Sequence, residues 1–148
     1  MAYVRAFPEG TRNCYEIGVA KGERYLIRAT FIYGNYDGLK KLPEFDLYYG
    51  VTLWDAVKFN GMDASTVKEI VHIPAQDIVH VCLVNTGYGT PFISALELRH
   101  LKNTSYVTPP GSLSLVFRAD VGAAINESAY SSASAGLVIV YFFFGKLR

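Results

Sequence analysis

Charge is scarce in this chain. Asp, Glu, Lys and Arg make up only 18% of its 148 residues, and 14 basic against 13 acidic side chains leave a formal net charge of +1. No basic run exceeds Lys40-Lys41. A field this weak lacks the basic footprint of a nucleic-acid binder, so no nucleic-acid partner is expected. Cysteine is limited to Cys14 and Cys82, which cannot supply the closely spaced ligands of a structural zinc site. The histidines His72, His80 and His100 stand apart, with no pair at helical i,i+4 spacing. No metal or cofactor is therefore expected.

Signatures of catalysis are equally missing. Ser94 and Ser112 lack the G-x-S-x-G frame of a nucleophile elbow. Gly87-Tyr88-Gly89 lacks the further glycine and the helix of a dinucleotide-binding turn. Glycoside hydrolysis needs two carboxylates facing across a cleft, and the spacing of Asp37, Glu44, Asp46 and Asp55 selects no pair. The chain is expected not to be an enzyme.

Long apolar runs are absent too. Met1 to Pro8 has no continuous apolar stretch before Glu9-Gly10, so it does not read as a signal peptide. The strongest run, Leu137 to Phe144, falls well short of the roughly 20 residues that a membrane-crossing helix requires. Three readings stay open for this tail: a marginal membrane segment, a sandwich strand, or the sticky end of a truncated product. Weak membrane association through residues 136–144 is the expectation. No amphipathic helix longer than a turn or two is legible.

What is present is apolar, aromatic and β-branched. Hydrophobic residues reach 51%, with 11 Tyr and 9 Phe, a composition that favours packed strands. In Tyr25 to Tyr33 the alternate residues Tyr25, Ile27, Ala29, Phe31 and Tyr33 form a nearly continuous apolar face. The run breaks at Gly34-Asn35 and Asp37-Gly38, pairs that tolerate positive φ. Further strands are expected at Arg12–Ile17, at Val67–Ile73 (edge-like), at Ile78–Asn85 (central), at Phe92–Arg99 and from Leu113 to Arg118. Phe45 to Trp54 reads as one strand, with Gly50 marking a bulge or a close backbone approach. Turn signals every 8–12 residues point to an all-β sandwich or barrel.

Cys14 and Cys82 have two readings. Free cysteine buries readily as a small apolar residue, which is the simpler one. In an oxidising compartment the two could instead form one disulfide. For ligand binding the candidates are Tyr33, Asn35, Tyr36, Asp37 and Tyr88, with Tyr48 and Tyr49 as further aromatics. An aromatic face beside amide and carboxylate groups is what a sugar ring and its hydroxyls require. The plainer reading is that Asn35 and Asp37 form a turn and the tyrosines cap the core. Asn103-Thr104-Ser105 and Asn126-Glu127-Ser128 are N-glycosylation sequons outside the expected core strands.

Several ordered segments carry a family likeness. They are Phe7-Pro8-Glu9-Gly10-Thr11-Arg12-Asn13-Cys14-Tyr15, Tyr25 to Phe31 with Tyr33-Gly34-Asn35-Tyr36-Asp37, Phe45-Asp46-Leu47, Val81 to Gly87, and Thr90 to Arg99. Together they resemble the malectin-like, carbohydrate-binding type of domain in plant leucine-rich-repeat receptor-like kinases, over Tyr3 to Gly122. The resemblance implies an incomplete, jelly-roll-like antiparallel β-sandwich. Residues 1–108 would form a partial lobe. Residues 109–122 would be a linker and a strand resembling the start of a second lobe, and 123–148 a divergent Ser/Ala stretch with the apolar tail. It implies a non-enzymatic, glycosylated ectodomain at the membrane's extracellular face that recognises an oligosaccharide or peptide ligand, with a co-receptor ectodomain as a further partner. The alternatives are an interaction module without a sugar site, or a truncated product without independent function.

Overall fold

The computed structural model describes residues 3–102, 113–114 and 138–141. These residues form no helix, and the strands pair antiparallel throughout. The strands are β1 (Arg5–Ala6), β2 (Arg12–Gly18), β3 (Arg24–Ile32), β4 (Glu44–Tyr49), β5 (Thr52–Val57), β6 (Ser65–His72), β7 (Ile78–Tyr88), β8 (Phe92–Ile93), β9 (Ala95–Leu101), β10 (Leu113–Ser114) and β11 (Val138–Tyr141). One sheet has the order β2-β7-β4-β5, a second β10-β6-β3-β9-β11, and β1 pairs with β8. The all-β expectation holds.

Strand alternation explains how the two larger sheets meet. Tyr15, Ile17, Phe45, Leu47, Val79, Val81 and Leu83 from the first sheet share one buried cluster with Ile27, Ala29, Phe31, Leu96 and Leu98 from the second. Phe31 and Phe45 meet edge to face at 5.6 Å between ring centres, so the contact runs from sheet to sheet. The apolar face read from Tyr25 to Tyr33 is thus the core face of β3.

The opposite face of β3 holds a feature the alternation hides. Arg28 is buried, and so is Glu69, its cross-strand neighbour on β6. Arg28 Nε donates to Glu69 Oε1, and Arg28 Nη1 lies 3.3 Å from Glu97 Oε2 on β9. The sequence gives Arg28 as a polar residue between apolar ones; only the register shows that carboxylates flank it on both sides.

Two further expectations change. Phe45 to Trp54 is not one strand. It is a hairpin, β4–β5, with Gly50-Val51 as a two-residue loop closed by Tyr49 opposite Thr52. Gly50 has φ 58°, which suits glycine at the first central position of a tight hairpin turn. The alternation continues unbroken through that turn, which is why it reads as one strand. β6 is flanked by β3 along its length, and by β10 at Ile70 and Val71, so it is an edge only in part. Leu113–Ser114, at the start of the strand expected from Leu113, pairs with Val71 and Ile70 of β6.

Cys14 and Cys82 sit directly opposite each other on β2 and β7, 4.0 Å apart at Cα, and are joined as a disulfide. The simpler reading of two free thiols is corrected: strand register places the sulfurs side by side, something sequence separation could not reveal. In the tail, Val138–Tyr141 forms a strand beside β9, the sandwich-strand reading for those four residues. No helix among the described residues is long and apolar enough to cross a membrane.

Candidate functional site

The register of β3 against β6 defines two ends of the sandwich. Ile32 lies opposite Ser65 at one end, and Tyr25 opposite His72 at the other. The chain leaves β3 at Tyr33, passes through the turn, and re-enters at Glu44, which pairs with Tyr88. Tyr33, Asn35, Tyr36, Asp37 and Tyr88 therefore share the first end. Tyr49 ends β4 five residues on, about 17 Å away at strand rise.

The turn is built around the Tyr33 hydroxyl. It donates to Asp37 Oδ1 at 2.6 Å and lies 3.4 Å from Asn35 Oδ1. Asp37 Oδ1 also accepts from Leu39 N at 3.1 Å, and Asn35 Oδ1 from Lys40 N at 2.8 Å. Gly34, Asn35, Gly38 and Lys40 all take positive φ, which confirms the turn read from the Gly-Asn and Asp-Gly pairs. Burial pushes the Tyr33 phenol above its ordinary pKa, the bond to Asp37 and that residue's charge add to this, and a hydrogen bond from the Lys41 backbone opposes it.

The aromatic rings lean inward. Tyr33 is 1% exposed. Tyr36 is half-buried, with its ring 5.2 Å from Phe92 and 5.7 Å from Tyr33. Burial pushes its phenol up to about 12, with the charge of Asp37 the next cause. The Oδ1 atoms of Asn35 and Asp37 serve the turn itself. Among the described residues no hydrogen bond involves Asn35 Nδ2, Asp37 Oδ2 or the Tyr36 hydroxyl.

Tyr88 stands away from this cluster. It is 64% exposed, and no ring contact or hydrogen bond joins it to Tyr33 or Tyr36. Its position is fixed through the next residue. Gly89, at φ 92°, lies so close to Pro43 that an added Cβ would come within 2.9 Å of that ring's Cβ. The sequons at Asn103 and Asn126 lie outside the described residues.

The other end holds features that sequence reading missed. Tyr48 and Tyr49 are here, not with Tyr33. The Arg12 guanidinium sits 4.8 Å over the Tyr48 ring, and its Nη2 donates to Gly50 O at 2.5 Å. Tyr49 and His72 pack at 4.7 Å between ring centres. Beside them opens a cavity of about 220 Å³ bounded by Tyr49, His72, Gln76, Ile78 and His80. These residues come from β4, β6, β7 and a loop, so no local motif could announce them.

A family model described as "Malectin-like domain" matches residues 1–133. A probable LRR receptor-like serine/threonine-protein kinase of Arabidopsis thaliana is 54% identical over 110 residues, 74% of this chain and 13% of that protein. The LRR receptor-like serine/threonine-protein kinase IOS1 of the same plant is 48% identical over 124 residues, 84% of this chain and 14% of that protein. The chain thus spans only about an eighth of the curated relatives it matches. Among solved structures, the ANX1 ectodomain from Arabidopsis thaliana aligns with TM-score 0.57 at 21% identity, over 68% of this chain and 28% of that one, a likeness of fold.

Proposed function

Because the chain belongs to the malectin-like domain family, we propose that it is a non-catalytic ligand-recognition module of a plant receptor-like kinase, working at the extracellular face of the membrane. The Cys14–Cys82 disulfide carries the extracellular part of this reading, since such bonds persist in oxidising compartments. The ligand class we assign is an oligosaccharide, received at the Tyr33 end. Its support is the division of labour in the turn. One oxygen each of Asn35 and Asp37 holds the backbone, which leaves a pre-shaped amide and carboxylate edge beside Tyr36. Exposed Tyr88 offers an aromatic face at the same end.

A second reading is a peptide or co-receptor ectodomain as partner, with no sugar site. Val51 and Leu53, 93% and 53% exposed on the β4–β5 hairpin, favour it, because apolar side chains displayed on a hairpin suit a protein partner. Glycan-array binding followed by calorimetry separates the two. Oligosaccharide binding weakened by Tyr88→Ala and Asp37→Asn supports the first reading. A folded chain that binds no glycan, but captures a partner ectodomain in a manner lost with Leu53→Glu, supports the second.

A further inference from the structure

The cavity beside Tyr49 lies at the opposite end of the sandwich from the Tyr33 turn, and its walls are held in place. The loop residues Pro74, Ala75 and Gln76 form one side. Pro74 O accepts from Gly22 N at 2.9 Å, Asp77 O from Val19 N at 2.9 Å, and Asp77 Oδ1 from Lys21 N at 3.0 Å. On the other side Gly50 N donates to His80 O at 2.8 Å, which pins the β4–β5 turn to β7. Four hydrogen bonds from separate elements thus shape the opening before any ligand arrives.

The lining is chemically mixed. Ile78, 45% exposed, gives an apolar wall with Pro74 and Val79. Gln76 and His80 bring hydrogen-bonding groups to the rim. The Tyr49 hydroxyl is buried and has no hydrogen-bond partner among the described residues. A buried hydroxyl without a partner costs free energy that a bound group would recover.

We propose that this cavity is a second binding site, which takes a single uncharged polyhydroxylated ring. Size limits the occupant. About 220 Å³ is below the range of drug-sized pockets, a size that suits one ring. Polarity limits it further. Burial holds the Tyr49 phenol protonated, with its pKa pushed up to about 12, and burial lowers that of His72, so the deep walls are neutral near pH 7. No carboxylate is among the lining residues; Glu16 Oε2 lies 3.5 Å from His80 Nε2, and Asp77 Oδ1 holds the loop. A charged ligand would find no counter-charge at the base, whereas hydroxyls would find a phenol, imidazoles and an amide.

The test is a two-dimensional amide NMR titration of the 148-residue chain with methyl glucoside, methyl galactoside and methyl xyloside, with glucuronate as the charged control. Saturable shifts are expected at Gly50, Gln76 and His80 with at least one neutral glycoside, and weaker ones with glucuronate. Tyr49→Phe should raise the melting temperature of the free protein, because it removes an unpartnered hydroxyl, yet weaken glycoside binding about fivefold, as loss of one hydrogen bond does. Gln76→Ala, at an exposed loop position, should weaken binding without affecting folding. Tyr88→Ala, at the other end, should change nothing here, which keeps this site's failure distinct from failure of the Tyr33-end reading. Absence of saturable shifts at these amides, or an affinity indifferent to both Tyr49→Phe and Gln76→Ala, overturns the proposal and leaves the cavity to water.

Discussion

The hydroxyl of Tyr33 donates a 2.6 Å hydrogen bond to Asp37 Oδ1, so the last core residue of β3 fixes the turn that follows it. The same carboxylate oxygen accepts Leu39 N, which makes Asp37 the hinge between core and loop. Tyr33→Phe should therefore destabilise the fold by about 1–2 kcal/mol, the cost of a lost charge-assisted bond. Urea unfolding measures it. An unchanged midpoint would mean the hydroxyl is not holding the turn.

Reducing the Cys14–Cys82 bond reopens a loop of 68 residues' separation. On the chain-entropy account this costs about 4 kcal/mol. Thermal unfolding with and without reductant, and of the Cys14→Ala/Cys82→Ala double variant, should show matching losses. A chain whose melting temperature ignores reductant would contradict the pairing.

Buried Arg28 lies between Glu69 and Glu97. Glu69→Ala should cost about 1–3 kcal/mol, because it removes one of the two carboxylates that flank a buried charge and leaves Glu97 as the remaining one. Replacing both partners, Arg28→Met with Glu69→Leu, should recover most of that loss. A double variant as unstable as the single one would show that the site depends on the ion pair itself.

Two glycines should respond differently to substitution. Gly89→Ala puts a Cβ 2.9 Å from the Pro43 Cβ at φ 92°, and should cost about 2–3 kcal/mol. Gly50→Ala has φ 58° and open space around it, so only the backbone term applies, about 1 kcal/mol. Equal losses in denaturant melts would refute the close approach of the Tyr88-Gly89 turn to Pro43.

Alkaline pH should unfold the chain from within. Burial raises the Tyr15 phenol from 10.0 to about 12, with Arg5 opposing. A folded-state pKa above the unfolded one gives stability that is complete below pH 10 and lost as pH rises toward 12. Ultraviolet titration of tyrosinate should show a late group of phenols that ionise together with loss of the fold. His72 acts in the opposite range: its pKa is lowered, so stability should fall as pH drops through and below 6.5. Independent titration of every phenol near 10.0 would contradict the burial of Tyr15.

The strands and the core were legible where periodicity speaks. The alternation of Ile27, Ala29 and Phe31 gave the inner face of β3, and Gly34-Asn35 with Asp37-Gly38 gave the turn. Phe45 to Trp54 misled, because a two-residue turn preserves the alternation it interrupts. Long-range pairings were closed to sequence reading. The disulfide, the Arg28–Glu69 contact and the cavity beside Tyr49 each join strands distant along the chain, and only register brings them together. The Tyr33 cluster was named correctly as a local group, yet its inward hydrogen bonds come from how the turn closes on the core. Tyr88 shares that end but not that cluster.

The most direct test of the proposed role is an oligosaccharide titration of the 148-residue chain followed at the backbone amides of Asp37, Lys40 and Tyr88. The account predicts saturable shifts at these positions, with binding weakened by Tyr88→Ala and by Asp37→Asn, in a protein that still unfolds cooperatively. A folded chain whose amides at this end stay unmoved by every oligosaccharide would contradict sugar recognition there.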